Sequence, residues 1–219
     1  MTVAWIPEPM LANLPLVPRD CAVSLVIRHS HRPPIPPGTY GDEIGLTPEG
    51  VAIAEELGGH LAGFPVVQVQ SSPVGRCVET VHALSRGAGW SVPVVSSRVL
   101  GAPGPFVVVG QEAGPLFLEH GPVAINQRLF GGEVVPGCRS ALDGTRMLLD
   151  LVVPQDVGVG LSVYCSHDAI IALAVATMLR VPVDATNWPK FLEGFFVYRC
   201  GEKLGVVWKG QRWEVGVAA

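Results

Sequence analysis

Short β-branched runs that alternate with capped helix starts are the feature that most restricts the fold of this chain. Two helices are expected after N-cap residues that precede a proline, Thr47 before Pro48 and Ser72 before Pro73. Strands that alternate with helices predict an α/β fold, a three-layer α/β/α sandwich with a mostly parallel central sheet. The predicted strands are Ala22–Ile27, Val66–Gln70, Val92–Ser96, Gly160–Cys165, Phe195–Arg199 and Gly205–Trp208, and further helices are expected at Arg139–Leu151 and His167–Arg180.

The chain of 219 residues has the length of one domain, so residues 1–219 are expected to fold as a unit. Two stretches are irregular, Pro33–Gly45 after the first strand and the Gly- and Pro-rich Leu100–Gly137. Because so long an irregular segment is usually functional, we expect a cap insertion at about 100–137 over one end of the sheet. Gly87 is expected to end the second helix, and Phe195–Val217 is expected to form a β-meander at a sheet edge.

Composition excludes some classes of protein. Charged residues make up only 16% of the chain and the net charge is −4, which argues against a nucleic-acid binder. The longest apolar run, Ala169–Leu179, is too short to span a bilayer, and the N-terminus is a poor signal peptide. The five cysteines are odd in number and none forms a Cys-x-x-Cys pair, which favours reduced thiols in a cytoplasmic protein.

Polar side chains follow three of the predicted strands at their carboxyl ends. In open α/β sheets ligands bind beyond these ends, and burying unpaired charge is costly, so an anion is the expected compensation. Three guanidiniums and two imidazoles around one point suit a phosphoryl group, because the planar guanidinium matches phosphate oxygens bidentately. The residues expected to gather there are Arg28, His29, Arg32, Arg76, His167 and Asp168.

Two of these residue types supply reaction chemistry. A neutral imidazole is a nucleophile toward phosphorus, and a carboxyl group can protonate a leaving alkoxide. The sequence has no Walker-type loop and no metal-ligand spacing, so the expected reaction uses no metal and no cofactor. His29 and His31 would share one face of a strand, so a metal pair is conceivable, but a pocket-lining or solvent-facing His31 is favoured.

Four ordered segments, "VIRHSHRP", "LTPEG", "SSPVGRCVET" and "CSHD", resemble the motifs of the histidine phosphatase superfamily, which has the phosphoglycerate mutase-like fold. The resemblance extends from Val23 to about Ala176, and Ser30 stands where the family usually has glycine. The form Arg-His-x-x-Arg-x-Pro, with a late His-Asp, is similar to the acid-phosphatase branch.

The resemblance implies a role for each residue. His29 would be the nucleophile that becomes a phosphohistidine, and Asp168 would be the proton donor. Arg28, Arg32, Arg76 and His167 would hold the phosphate. Small cytoplasmic members usually take the donor from an inserted loop instead, which makes Glu112, Glu119 and Glu133 candidates ranked below Asp168.

The expected function is hydrolysis of a phosphate monoester of a small molecule, with no nucleic acid or membrane as partner. A phosphomutase of the same fold and a non-catalytic phosphate-ligand-binding protein are the alternatives, and the oligomeric state is left open. The loop at Pro33–Gly45 and the insertion are apolar and poor in Lys and Arg, which favours a monophosphate on a small or partly apolar group. The segment Trp188–Arg199 is similar to a C-terminal segment of bacterial members and receives no chemical role.

Overall fold

The computed structural model describes residues 5–155 and 158–216, which contain one seven-stranded sheet with helices on both faces. The strands are β1 Ala22–Arg28, β2 Val66–Ser71, β3 Val94–Ser96, β4 Gly160–Ser166, β5 Gly194–Cys200, β6 Lys203–Trp208 and β7 Gln211–Gly216. The helices are α1 Glu8–Asn13, α2 Pro48–Leu61, α3 Gly75–Ala88, α4 Gly110–Phe130, α5 Ala141–Val152 and α6 Asp168–Leu179.

The sheet has a parallel half and an antiparallel half, in the strand order β3-β2-β4-β1-β5-β6-β7. The parallel neighbours are β1 with β4, β4 with β2, and β2 with β3. The remaining strands β5, β6 and β7 add successively to β1 as antiparallel neighbours. Lys209 (φ 48°) and Gly210 (φ 73°) make the two-residue turn between β6 and β7, where positive φ suits the twist of a hairpin. The predicted meander is confirmed, although its expected end at Val217 lies outside the described residues.

Alternate side chains of β1 enter two separate cores. Val23, Leu25 and Ile27 pack with residues of α1, α2 and α3, and Val26 packs with residues of α4, α5 and α6. Successive side chains of a strand point to opposite faces, so a strand apolar at every position must be covered on both sides. The predicted three-layer α/β/α sandwich is therefore confirmed.

Local capping predicts one helix start correctly and misplaces another. Thr47 caps α2 as expected, because its hydroxyl oxygen accepts from the Gly50 backbone N–H at 3.0 Å. The expectation for Ser72 is wrong, since α3 begins only at Gly75, after Val74. The Ser72 hydroxyl instead accepts from the Val74 N–H at 3.3 Å. It also lies 3.0 Å from Nε2 of His167, which follows β4.

Gly87 does not end α3, which continues to Ala88 and has Gly89 as its left-handed C-cap. A Cβ on Gly87 would overlap the carbonyl group of Glu55 on α2. Gly58 of α2 meets the carbonyl of Leu84 in the same way. These glycines allow the close approach of two helices, which a single sequence does not distinguish from a helix stop.

The segment expected to be an irregular insertion contains α4, a long helix that the sequence did not predict. α4 changes direction at Gly121 (φ 77°, ψ 158°), and Pro122 stands at the first position of its second part. Proline is tolerated there because the first turn of a helix has no hydrogen-bond acceptor for its N–H groups. Ile125 and Leu129 pack into the core beside α6. The assignment of residues 100–137 as a cap insertion within one domain stays a prediction.

Within residues 5–155 and 158–216, none of the helices combines the length and the apolar character that a membrane crossing requires.

Candidate active site

The polar residues that follow β1, β2 and β4 lie side by side at the carboxyl ends of these parallel strands. Arg28 at the end of β1 is in register with Ser166 at the end of β4. Ser71 at the end of β2 is in register with Cys165 of β4. The convergence expected from the sequence is therefore present.

His29, directly after β1, has its ring fixed by the backbone of the next residue. Its side chain is buried, and Nδ1 lies 2.8 Å from the carbonyl oxygen of Ser30. A carbonyl only accepts, so Nδ1 carries the hydrogen and Nε2 keeps its lone pair. Burial, followed by the charges of His167, Arg28 and Arg76, lowers the pKa of His29 to about 2. The imidazole is therefore neutral, with a nucleophilic nitrogen at Nε2.

Ser30 stands where the family motif that the sequence resembles usually has glycine, and its side chain is accommodated there. It is fully buried, its N–H donates to the Thr80 hydroxyl at 2.9 Å, and its own hydroxyl donates to the Gly50 carbonyl at 2.7 Å. A Cβ on Gly50 would overlap the carbonyl group of His31, so the start of α2 packs directly on this turn. The Ser30 hydroxyl is thus satisfied, and it joins the turn to α2.

Arg76, in the first turn of α3, links three parts of the site. Its Nε–H donates to His29 Nε2 at 3.2 Å, and Nη1 donates to the Gly41 carbonyl at 2.6 Å. Its Nη2 lies 3.4 Å from Nδ1 of His167. The guanidinium therefore spans both histidines and the loop that follows β1.

Arg28 and Arg32 each hold a buried Nε atom without a hydrogen-bond partner among the described residues. Arg28 donates from Nη1 to the Pro189 carbonyl at 2.7 Å and pairs through Nη2 with Asp168 Oδ2 at 2.8 Å. Arg32 donates from Nη1 to the Pro33 carbonyl at 2.8 Å. Buried donors are normally satisfied, so these two guanidiniums retain donor capacity for an acceptor such as an anion.

His167, between β4 and α6, is held by side chains. Its Nε2 lies 3.0 Å from the Ser72 hydroxyl and 3.6 Å from the Cys77 sulfur, and its ring centroid is 5.6 Å from that of His29. Gly101 closes the remaining side, since a Cβ there would lie 2.5 Å from the His167 ring. The sequence did not predict the contacts of Cys77 and Gly101.

Cys77 is a buried thiol beside two basic groups. Burial raises its pKa, but the hydrogen bond with Cys165, the charge and hydrogen bond of His167 and the charge of Arg76 outweigh this and lower the pKa below its ordinary value. The site thus contains a thiol group in contact with His167, which also faces Arg76.

Asp168 is the carboxylate that contacts the other site residues. Its Oδ2 pairs with Arg28, and its Oδ1 accepts from the Ala169 N–H at 2.8 Å. No hydrogen bond or ion pair joins the three glutamates of the insertion to the site residues within the part of the chain that the structure describes. Glu133 instead lies 2.7 Å from Arg128, and Glu119 lies 3.9 Å from His120.

Residues 189–193, which lie in the segment without an assigned chemical role, form one wall of the site. The Pro189 and Glu193 carbonyls accept from the side chain and backbone N–H of Arg28, and the Leu192 N–H donates to the His29 carbonyl at 3.4 Å. The Phe191 ring lies against the side chains of Arg28, His29, His31 and Arg32. These contacts join residues about 160 positions apart, as in the bond from Arg28 to Pro189 with a separation of 161, and no local pattern could have revealed them.

The described residues contain no group of three or more His, Cys, Asp or Glu side chains that could hold a metal ion. His31 packs on Phe191 with ring centroids 4.8 Å apart, and burial followed by the charge of Arg28 lowers its pKa. His31 therefore lies against the wall of the site, and the absence of a metal pair stays a prediction.

A family model described as "Histidine phosphatase superfamily (branch 1)" matches residues 35–100. The matched segment includes Arg76 but begins after His29 and ends before His167. The likeness to the acid-phosphatase branch therefore rests only on the form of the sequence motifs. No curated protein matches the chain in sequence.

Solved structures with the same fold include mutases and phosphatases. Phosphoglycerate mutase from Bacillus anthracis str. Sterne is 14% identical, with a TM-score of 0.54, over 91% of this chain and 93% of that one. Mycobacterial glucosyl-3-phosphoglycerate phosphatase is 15% identical, with a TM-score of 0.56, over 91% of this chain and 100% of that one. Phosphoserine phosphatase from Entamoeba histolytica, in complex with 3-phosphoglyceric acid, is 20% identical, with a TM-score of 0.50, over 80% of this chain and 90% of that one. The chain therefore has a phosphoglycerate mutase-like fold, and its residues 35–100 are similar to the histidine phosphatase superfamily.

Proposed function

We propose that the chain is a metal-independent phosphatase that hydrolyses a phosphate monoester of a small molecule through a phosphohistidine. The observation that carries the proposal is a neutral His29, whose Nε2 lone pair faces the Arg76 guanidinium, beside two further arginines that retain unused buried donors. A nucleophile and a set of anion-binding donors at one point are the two requirements of phosphoryl transfer to a histidine.

In the first step Nε2 of His29 attacks phosphorus in line, and the bond from phosphorus to the leaving oxygen breaks. Arg76, which donates to Nε2 in the free protein at 3.2 Å, shifts its N–H to a phosphoryl oxygen when the substrate occupies the site. Arg28, Arg32 and His167 stabilise the charge on the other phosphoryl oxygens. The leaving oxygen takes a proton from Asp168.

In the second step water attacks the phosphohistidine and the bond from nitrogen to phosphorus breaks. Asp168, now a carboxylate, accepts a proton from the water, and inorganic phosphate leaves with His29 restored. Asp168 begins this cycle paired with Arg28 through Oδ2. A substrate dianion competes for Arg28, which separates Asp168 from this guanidinium and leaves its carboxyl group free to donate the proton.

The substrate class follows from the surroundings of the site. The proposed substrate is a monophosphate on a small or partly apolar group, because the loop after β1 and the insertion carry few cations. The structures of the same fold named above act, by their names, on small phosphate esters, which is consistent with this class.

The proposal is tested by phosphate release from p-nitrophenyl phosphate and from a panel of phosphorylated metabolites. A phosphatase turns both over, a mutase gives little net release, and a phosphate-binding protein gives none. Quenching with labelled substrate should trap an acid-labile, base-stable phosphoenzyme, and activity should survive a chelator. Undiminished turnover by His29→Asn, or restoration of activity by a specific divalent ion after chelation, would contradict the mechanism.

A further inference from the structure

We propose that Phe191 is a positioning residue that fixes the guanidinium groups of Arg28 and Arg32 for the phosphoryl group. The inference rests on the proposed function, because it concerns the same anion site. Phe191 lies in the segment to which the sequence assigned no chemistry, and it does not itself react.

The contacts of the ring support this role. The guanidinium carbon of Arg28 lies 4.1 Å from the Phe191 ring centroid, and that of Arg32 lies 5.8 Å away. The ring centroids of His31 and His29 lie 4.8 Å and 5.5 Å from it. One aromatic ring thus touches all four basic side chains of the motif after β1, and the negative face of an aromatic ring attracts cations within about 6 Å.

Arg28 shows why the ring is needed. Its side chain is a flexible stem, and its Nη1 and Nη2 donors contact the Pro189 carbonyl and Asp168. Hydrogen bonds of a guanidinium lie in its plane, so they set direction within that plane, whereas a ring beside it restricts movement out of the plane. When a substrate dianion draws Arg28 away from Asp168, the contact with Phe191 is retained.

Phe191 is itself anchored on both sides. The Leu192 side chain is fully buried, its backbone has φ 59°, and its N–H donates to the His29 carbonyl. Buried Glu193 accepts from the Lys190 N–H at 2.9 Å, lies 3.8 Å from Lys209, and accepts from the Arg28 backbone through its carbonyl. The backbone that carries the ring is therefore tied to β1, the strand that leads into the motif.

A packing role alone is distinguished by a second Arg–Phe pair in the same chain. Arg19 lies 3.5 Å from the ring centroid of Phe64, a buried residue between α2 and β2. Phe64 has no contact with the site residues among those the structure describes, so it is a matched control. Loss of packing would lower stability in both Phe191→Leu and Phe64→Leu, but only loss of positioning would change anion affinity.

The experiment measures the binding of inorganic phosphate by calorimetry, together with kcat and KM. Phe191→Leu should bind phosphate about 5- to 30-fold more weakly, which corresponds to about 1 to 2 kcal/mol, with an increase in KM. Phe191→Tyr should restore affinity to within about 2-fold. Pentafluorophenylalanine at position 191 keeps the shape but removes the attraction for cations, so it should resemble leucine. Phe64→Leu should bind phosphate as the unchanged protein does.

The outcomes separate the two proposals. Unchanged phosphate affinity in both Phe191→Leu and the pentafluorophenylalanine protein overturns the positioning role and leaves the phosphatase proposal intact. Leucine and pentafluorophenylalanine proteins that fold, judged by circular dichroism, yet differ from each other by more than about 5-fold contradict the cation contact. If the unchanged protein binds no phosphate, and Arg28→Ala leaves kcat and KM unchanged, both proposals fail.

Discussion

The two histidines of the site follow neighbouring parallel strands, but their surroundings differ. His29, after β1, is bound through Nδ1 to a backbone carbonyl of the adjacent residue at 2.8 Å. His167, after β4, is bound by side chains from two other segments, through Ser72 at 3.0 Å and Cys77 at 3.6 Å. A carbonyl offers only an acceptor, whereas hydroxyl and thiol groups both donate and accept.

The difference assigns different tasks to the two strand ends. A fixed acceptor locks one tautomer, so His29 presents a lone pair, as a nucleophile requires. Partners that can reverse their hydrogen bonds let His167 act as donor to a phosphoryl oxygen. Asp168 follows His167, so in the proposed mechanism the end of β4 supplies charge stabilisation and proton transfer, and the end of β1 supplies the covalent chemistry.

The largest expected effect breaks this division directly. His29→Asn keeps an N–H for the Ser30 carbonyl but removes the nucleophile, so kcat should fall by at least about 10⁴-fold. His167→Asn removes a stabilising donor and should cost about 10²- to 10³-fold. Turnover of p-nitrophenyl phosphate and trapping of the phosphoenzyme measure both. A phosphoenzyme still formed by His29→Asn would contradict His29 as the nucleophile, and equal losses in the two variants would contradict the division of roles between the histidines.

The next prediction concerns the proton donor at the end of β4. Asp168→Asn should reduce hydrolysis of an alkyl phosphate by about 10²- to 10⁴-fold, because a poor leaving group needs a proton. Hydrolysis of p-nitrophenyl phosphate should fall much less, since that leaving group departs unprotonated. The controls are Glu112→Gln, Glu119→Gln and Glu133→Gln. A leaving-group-dependent loss in one of these, and not in Asp168→Asn, would place the donor in the insertion.

A third prediction uses the depressed pKa of His29. The unfolded histidine binds a proton below its ordinary pKa of 6.5, whereas the folded one stays neutral down to about 2. Its contribution to stability is therefore complete above pH 6.5 and is lost as pH falls, by up to about 1.4 kcal/mol per pH unit. Urea unfolding between about pH 7 and pH 4.5 should show a shallower acid loss for His29→Asn than for the unchanged protein.

The exposed His60 on α2 supplies the control for that measurement. His60→Asn should keep the acid dependence of the unchanged protein. If His29→Asn keeps it as well, the His29 ring takes up a proton in the folded state and is not the neutral nucleophile inferred above.

The smallest expected effect sharpens the comparison at His167. Cys77→Ala removes one of the partners of Nε2, and kcat/KM should fall by about 3- to 10-fold, the range for one hydrogen bond. Cys77→Ser keeps a hydrogen-bonding group that can contact His167, so kcat/KM should stay within about 2-fold. Equal kinetic losses in the two variants would mean that packing, not the contact with His167, matters there.

Residues that act through their near neighbours along the chain were predictable. The Thr47-Pro48 start of α2 depends on contacts within three residues, and polar residues after apolar strands place Arg28 and His167 at strand ends. Parallel strands then bring those ends together, so the membership of the site followed from pattern and topology. The antiparallel half of the sheet was also predictable from the sequence, because its strands are joined by short hairpins between chain neighbours.

The sequence by itself thus determined the α/β class, the order of the strands and of the helices α2, α3, α5 and α6, and the residue types at the site. Only the tertiary structure decided the contacts across segments: Phe191 on the Arg28 motif, Cys77 on His167, the pairing of Asp168 with Arg28, and Gly87 as a helix contact rather than a stop. The physical reason is distance along the chain. Capping and strand patterns involve a few adjacent residues, whereas these contacts form only when packing places remote segments against each other.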